Sequence, residues 1–332
     1  MKIAFFETRP EEESLISSLL KEECVFVKEK LTKDNIALAQ DAEVVSVFIN
    51  SKIDKEIIDS LPNLKLITTR STGFDHIDTA YAKEKNIKVA NVPSYGSKTV
   101  AEFTFALILS LSRKIFEAKS SVLEKQKFNI TNLQGFDLNG KTLGVIGTGR
   151  IGQNVIKMAL AFGMKILAND VKPNNELASR LGFEYTDMEN LLKNSDIITL
   201  HVPYFAENKH LINSSNIGLM KSGAYLINTA RGELIETVAL LKALSSKQIA
   251  GAGLDVLEAE SELKEEAGLL VCGEEKIKDI KTVLEDHTIM NMPNVLVTPH
   301  IAFFSKEACD EISKTTAKNI QSFITGNPEN LI

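Results

Sequence analysis

The chain has 332 residues, 44% hydrophobic and 25% charged, which is enough for about two soluble domains with ample cores. A net charge of -6 and the lack of a dense Lys/Arg block argue against a nucleic-acid partner. No run of about 18 apolar residues occurs, so no membrane span is expected.

Residues 1 to about 95 alternate apolar runs with amphipathic segments. Residues 2–6, 44–49, 64–69 and 88–92 read as buried parallel strands, with 24–27 a weaker fifth. Residues 11–20, 54–60 and 78–84 read as helices between them, so βαβ units with helices on both faces of a parallel sheet are expected. Glu7 interrupts the first run too early for a signal-peptide core.

A turn-rich break at 93–97 precedes an apolar segment, 99–116. It is too apolar all round for a surface helix and should be buried between domains or subunits. Residues 120–139 read as an irregular connection.

From Lys141 the pattern sharpens. An apolar run ends in Gly147-x-Gly149-x-x-Gly152, and a helical pattern follows directly. Gly147 permits a tight turn, Gly149 lets backbone approach a pyrophosphate, and Gly152 lets helix and strand pack closely. The phosphates would sit on the unpaired N–H groups at the helix start. A second strand, 165–169, runs into Asp170, whose spacing from the glycines suits a carboxylate on the ribose hydroxyls of NAD, and its charge would repel the 2′-phosphate of NADP.

Further strands are expected at 196–202, 223–228, 249–256 and 294–297, which completes a doubly wound dinucleotide domain. Residues 258–286 read as a charged, solvated excursion, and 305–325 as an amphipathic helix. The three cysteines, Cys24, Cys272 and Cys309, form no CxxC pair and suit a reducing cytoplasm. The five histidines lack metal-ligand spacing, so no metal site is expected.

Ligands of such sheets bind outside the carboxyl ends of the strands. That rule selects His201-Val202-Pro203, Asn228-Thr229-Ala230-Arg231-Gly232, Asp255 and His300. The planar fork of Arg231 suits bidentate capture of a carboxylate. His300 is the natural general acid–base, because imidazole titrates near working pH. A carboxylate beside it would orient the ring and favour imidazolium. Glu258 and Glu260 both qualify, and spacing does not choose between them.

Taken together, the chain resembles the D-isomer-specific 2-hydroxyacid dehydrogenase family. The resemblance rests on Arg70-Ser-Thr-Gly-Phe-Asp-His-Ile-Asp78, Asn91-Val-Pro-Ser-Tyr95, Val100-Ala-Glu102, the glycine loop, His201-Val-Pro203, Asn228-Thr-Ala-Arg-Gly232, Gly253-Leu-Asp-Val-Leu-Glu-Ala-Glu260 and Thr298-Pro-His300. These motifs span nearly the whole chain in the family's order.

The resemblance implies a flavodoxin-like substrate domain (1–98 plus 300–332) interrupted by a Rossmann NAD domain (99–299). By matching position, Arg231 would bind the substrate carboxylate, His300 would be the acid–base and Glu260 its partner. Gly147, Gly149, Arg150, Ile151, Gly152, Asp170, Val202, Pro203, Asn208, Thr229, Ala230 and Asp255 would contact NAD. Backbone donors at Thr72 and Gly73 would add to the substrate carboxylate. Tyr95 and Phe303, near Ile301-Ala302, are similar to the aromatic residues of D-lactate and D-2-hydroxyisocaproate dehydrogenases.

Reduction of pyruvate to D-lactate by a cytoplasmic homodimer is thus the first expectation. A D-2-hydroxyisocaproate-type dehydrogenase and a glyoxylate/hydroxypyruvate reductase are the alternatives within the family. An NAD(H)-sensing, corepressor-like binding protein is the alternative of a different class. The charged 264–286 segment departs from the family's pattern.

Overall fold

In the computed structural model, which describes residues 1–124, 126, 128–260, 263 and 280–332, the chain forms two compact units. One is Met1–Tyr95 with Phe304–Ile332, and the other is Gly96–Phe303.

The first unit runs β1 (Lys2–Phe6), α1 (Pro10–Leu19), β2 (Glu23–Val27), β3 (Val44–Val47), α2 (Lys55–Asp59), β4 (Leu66–Thr69), α3 (Thr79–Glu84) and β5 (Lys88–Ala90). Its five strands are all parallel, in the order β2-β1-β3-β4-β5, which is the flavodoxin-like winding. Alternate residues feed opposite cores: Ala4, Phe6, Val45, Val47 and Ile67 one face, Ile3, Phe5, Val44 and Leu66 the other. The C-terminal helix, Lys306–Ile324, covers the second face with Ala317 and Ile320. Asp54 and Asp78 cap α2 and α3 by accepting the Ile57 and Tyr81 amides, which marks both helix starts.

The second unit runs α4 (Ser97–Ser112), α5 (Ile115–Leu123), β6 (Thr142–Ile146), α6 (Arg150–Ala161), β7 (Lys165–Asn169), α7 (Asn175–Leu181), β8 (Glu184–Tyr185), α8 (Met188–Asn194), β9 (Ile197–Leu200), β10 (Ala224–Asn228), α9 (Thr237–Ser245), β11 (Ile249–Leu254), helix Ile280–Met290 and β12 (Val295–Val297). Its seven parallel strands lie in the order β12-β11-β10-β9-β6-β7-β8, so the winding reverses between β6 and β9. Dinucleotide sheets bind their ligand at that switch point.

Three local expectations are corrected. The 99–116 segment is not one helix: Lys114 turns the chain with φ of +51°, and α5 continues into the stretch expected to be irregular. α4 packs Ala101, Phe105, Leu107 and Ile108 into its own unit's core, whereas α5 leaves Ile115 and Phe116 each 54% exposed. A seventh strand, β8, was not expected, because two residues carry no periodicity. The 258–286 stretch is not solvated throughout: Glu258 and Asp286 are both within the fold, and Val283, Asp286 and Ile289 on helix Ile280–Met290 are buried. Residues 264–279 of the expected excursion lie outside the described residues.

Candidate active site

The carboxyl ends of the seven-stranded sheet gather the residues of interest. Gly147 follows β6 with φ of +94°, and a Cβ there would lie 2.7 Å from the His201 carbonyl. A Cβ on Gly152 would meet the Gly147 carbonyl oxygen at 2.0 Å, so strand and helix touch through backbone alone. A Cβ on Gly149, the residue before α6, would meet nothing within 4 Å. The loop therefore presents open space in front of the first amides of a helix, which is the cradle a pyrophosphate needs. Arg150, exposed, and Ile151, half-buried, open that helix.

Asp170 stands at the end of β7. One oxygen accepts from the Thr148 amide (2.7 Å) and hydroxyl (2.9 Å), the other from the Lys172 amide (2.9 Å). Partial burial works against ionisation, but the Lys172 and Thr148 amides and the Thr148 hydroxyl outweigh it and hold the carboxyl below its usual range. Tyr185 on β8 bonds the same hydroxyl (2.8 Å), so the unexpected strand steadies this carboxylate.

Past β9, His201 is half-buried with its Nδ1 sealed from solvent, and Nε2 lies 2.9 Å from Thr199 Oγ1. Burial pushes its pKa down to about 3, so the ring is neutral. Val202 is half-buried and Pro203 exposed. Asn208 closes the turn behind them: its amide donates to the Pro203 carbonyl (2.8 Å), and its oxygen accepts from the Phe205 amide (2.7 Å).

Asn228 ends β10 and shapes the next loop by donating to the Arg231 carbonyl (2.8 Å) and accepting from the Ala230 amide (2.9 Å). Thr104 spends its hydroxyl proton on Val100, so Thr229 donates in the 3.1 Å contact between the two hydroxyls. Arg231 is half-buried, with Nη1 on the Ala230 carbonyl at 2.8 Å.

Asp255 follows β11 and is 1% exposed. It accepts from Thr298 Oγ1 (2.5 Å) and from the amides of Ile301 (2.9 Å) and Ala302 (2.8 Å), while its carbonyl takes the His300 amide at 2.8 Å. Burial pushes the Asp255 carboxyl up in spite of these donors. Together they hold His300 at φ of +55°, a conformation of a non-glycine residue that costs of order 1–3 kcal/mol and persists only where surroundings enforce it.

His300 Nδ1 lies 2.7 Å from Glu260 Oε1. Glu258, the other carboxylate in reach by sequence, is turned elsewhere: Oε1 is 2.6 Å from His210 Nε2, and Oε2 accepts from the Thr237 hydroxyl (2.9 Å) and amide (3.2 Å). A carboxylate on Nδ1 leaves Nε2 as the ring position for exchanging a proton with a substrate.

In the first unit, Thr72 and Gly73 follow β4. Thr72 is fastened by its hydroxyl to the Val92 carbonyl (2.8 Å) and by its carbonyl to the Asn91 side chain (2.8 Å). Arg70, fully buried, donates to the Phe6 and Glu7 carbonyls at 2.6 and 2.8 Å and ties the end of β4 to that of β1. Tyr95 closes this unit's first segment, whereas Phe303 ends the second unit. Sequence reasoning passed over Thr148, Tyr185, Thr104, His210 and Asp286, which act through neighbours and carry no spacing signal.

Among the described residues, no group of three or more His, Cys, Asp or Glu side chains could hold a metal ion, and no helix is long and apolar enough to cross a membrane.

Comparison with known proteins agrees with this geometry. Residues 105–302 match the family model for the NAD-binding domain of D-isomer-specific 2-hydroxyacid dehydrogenases. The chain is 40% identical to 2-hydroxyacid dehydrogenase homolog 1 of Schizosaccharomyces pombe, over 98% of this chain and 97% of that one. It is 37% identical to glyoxylate reductase of Thermococcus litoralis, over 88% and 84%. A crystal structure of D-lactate dehydrogenase from Aquifex aeolicus, complexed with NAD and lactic acid, matches with a TM-score of 0.90 and 37% identity, over 99% and 98%. With its flavodoxin-like and Rossmann-like units and a glycine cradle fit for NAD, the chain belongs to the D-isomer-specific 2-hydroxyacid dehydrogenases, a family of NAD-dependent oxidoreductases.

Proposed function

We propose that the protein reduces a short 2-keto acid, pyruvate before others, to the D-2-hydroxy acid. The observation that carries this reading is the 2.7 Å contact between His300 and Glu260, which builds an imidazole–carboxylate pair at the carboxyl edge of the NAD sheet.

Bound NADH supplies the hydride. Arg231 holds the substrate carboxylate through its fork, and this fixes the carbonyl's position and orientation. The His300 imidazolium gives its Nε2 proton to the carbonyl oxygen, general acid catalysis worth roughly 10² to 10⁴-fold. Glu260 accepts at Nδ1, which orients the ring and turns Nε2 toward the substrate. In the reverse direction the neutral ring takes the proton back. The glycine loop, Arg150, Ile151, Asp170, Val202, Pro203, Asn208, Thr229, Ala230 and Asp255 hold the cofactor.

Pyruvate is favoured because Phe303, three residues past His300, offers apolar contact to a short side chain. A further part of the reading is a homodimer built on α5, where Ile115, Phe116, Val122 and Leu123 are 45–65% exposed. Sedimentation at about twice the 36.6 kDa chain mass supports it, and a monomer contradicts it.

The test is the rate of NADH oxidation with pyruvate, hydroxypyruvate, glyoxylate, phenylpyruvate and 2-ketoisocaproate, with the chirality of each product. Pyruvate should give the highest kcat/KM and D-lactate. A higher value for glyoxylate or 2-ketoisocaproate moves the assignment to a reductase or an isocaproate-type enzyme. An L product, or no turnover of any of them, refutes the catalytic reading and leaves a cofactor-sensing protein.

A further inference from the structure

Glu260 is held by more than its histidine. It follows a short turn, 257–259, whose backbone lies directly on Gly232: a Cβ there would sit 2.0 Å from the Leu257 carbonyl oxygen and 2.5 Å from the Glu258 amide. On its inner side the turn meets a second carboxylate, Asp286 on helix Ile280–Met290, which is 1% exposed. Asp286 Oδ2 accepts the Ala259 amide at 2.9 Å, the residue immediately before Glu260. Glu258, on the other side of Ala259, is bonded by His210 and Thr237.

Thr237 has one hydroxyl proton and two carboxylates within reach, Glu258 at 2.9 Å and Asp286 at 3.3 Å. The nearer takes it. The Ala259 amide is thus the firm bond of Asp286, and burial pushes this carboxyl up to about 6, with the charges of Glu258 and Glu285 adding to the shift. A buried carboxylate is costly to keep, and replacing it with an apolar residue of similar volume would ordinarily be neutral or favourable.

We propose that Asp286 is a positioning residue for catalysis: by gripping the Ala259 amide it sets the backbone that carries Glu260, and through it the orientation and charge of His300. This rests on the acid–base reading of the His300–Glu260 pair. Asp286 touches neither substrate nor cofactor. Its bond reaches the reaction through one peptide and one carboxylate.

The test is the pH profile of kcat for pyruvate reduction by the full-length protein, measured for the natural enzyme, Asp286→Ala, Asp286→Asn and Glu260→Gln, with NADH affinity measured alongside. Loss of Glu260's charge should move the alkaline limb of kcat to lower pH. Asp286→Ala should move it the same way by a smaller amount and cut kcat about 10-fold, while NADH affinity stays within about twofold. Asp286→Asn keeps an oxygen that accepts from Ala259 and should restore kcat to within about twofold. A natural pH profile in Asp286→Ala overturns the proposal, whatever happens to its Tm.

If that variant does not fold, Asp286→Leu, which fills a similar volume but cannot accept from the Ala259 amide, should shift the limb in the same direction, and an unmoved limb overturns the proposal equally. If Glu260→Gln itself leaves the profile unmoved, the acid–base reading fails and the proposal with it. If Glu260→Gln shifts the limb and Asp286→Ala does not, only the positioning role fails.

Discussion

Glu260 Oε1 stands 2.7 Å from His300 Nδ1, while the equally spaced alternative Glu258 is 2.6 Å from His210. Two carboxylates two residues apart thus serve two histidines. Residues i and i+2 of a short turn are close enough in sequence to look interchangeable, and only the packing of 257–259 on Gly232 separates them.

The roles of the glycines can be told apart by substitution. Gly149→Ala points a methyl into open space at φ of -67°, so Tm should hardly change while NADH affinity falls about 10-fold or more from the lost phosphate approach. Gly152→Ala drives a methyl into the Gly147 carbonyl and should cost about 1–3 kcal/mol of stability. Thermal melts with fluorescence titration of NADH check both. Equal loss of Tm in the two variants would contradict the assignment.

Arg231→Lys keeps the charge and loses the fork. Bonds to charged groups are worth roughly 1.5–3 kcal/mol, so kcat/KM for the keto acid should fall about 10- to 100-fold with NADH affinity unchanged. Steady-state kinetics decide it. A variant with unaltered kcat/KM would remove Arg231 from carboxylate binding.

Two buried groups pull the pH dependence of stability in opposite directions. Folding holds the His201 pKa at about 3, below its unfolded value, so its contribution is present above about pH 6.5 and is lost as pH falls toward 3. Folding raises the Asp286 pKa to about 6, so its neutral form is favoured and stability is lost as pH rises through that value, by about 3 kcal/mol in all. Urea midpoints should therefore show Asp286→Asn more stable than the natural protein at pH 7.5, the gain vanishing near pH 4. His201→Gln should flatten the fall between about pH 6.5 and 4. Curves parallel to that of the natural protein would contradict both statements.

Much of the fold was legible because parallel strands buried on both faces read as apolar runs, as β1, β6 and β9 do. The glycine loop and Asp170 were legible because their chemistry is tied to fixed spacing. His300 stood out by following a strand end. The remainder was hidden for physical reasons. β8 has two residues and no period, yet Tyr185 on it reaches Thr148 and so steadies Asp170. The turn at Lys114 needs a positive φ that Arg-Lys does not advertise. Asp286 lies in a charged stretch that reads as solvated, and only its bond to Ala259 shows that it is inside.

In the proposed reaction His300 transfers the proton, and this is tested by kcat for pyruvate reduction by His300→Gln, with NADH affinity determined on the same preparation. Glutamine keeps a polar side chain of similar reach but cannot donate as an acid, so kcat should fall about 10² to 10⁴-fold while NADH affinity stays within about twofold. Turnover within a factor of about ten of the natural enzyme would contradict the account, because the residual chemistry would then need no general acid at this position.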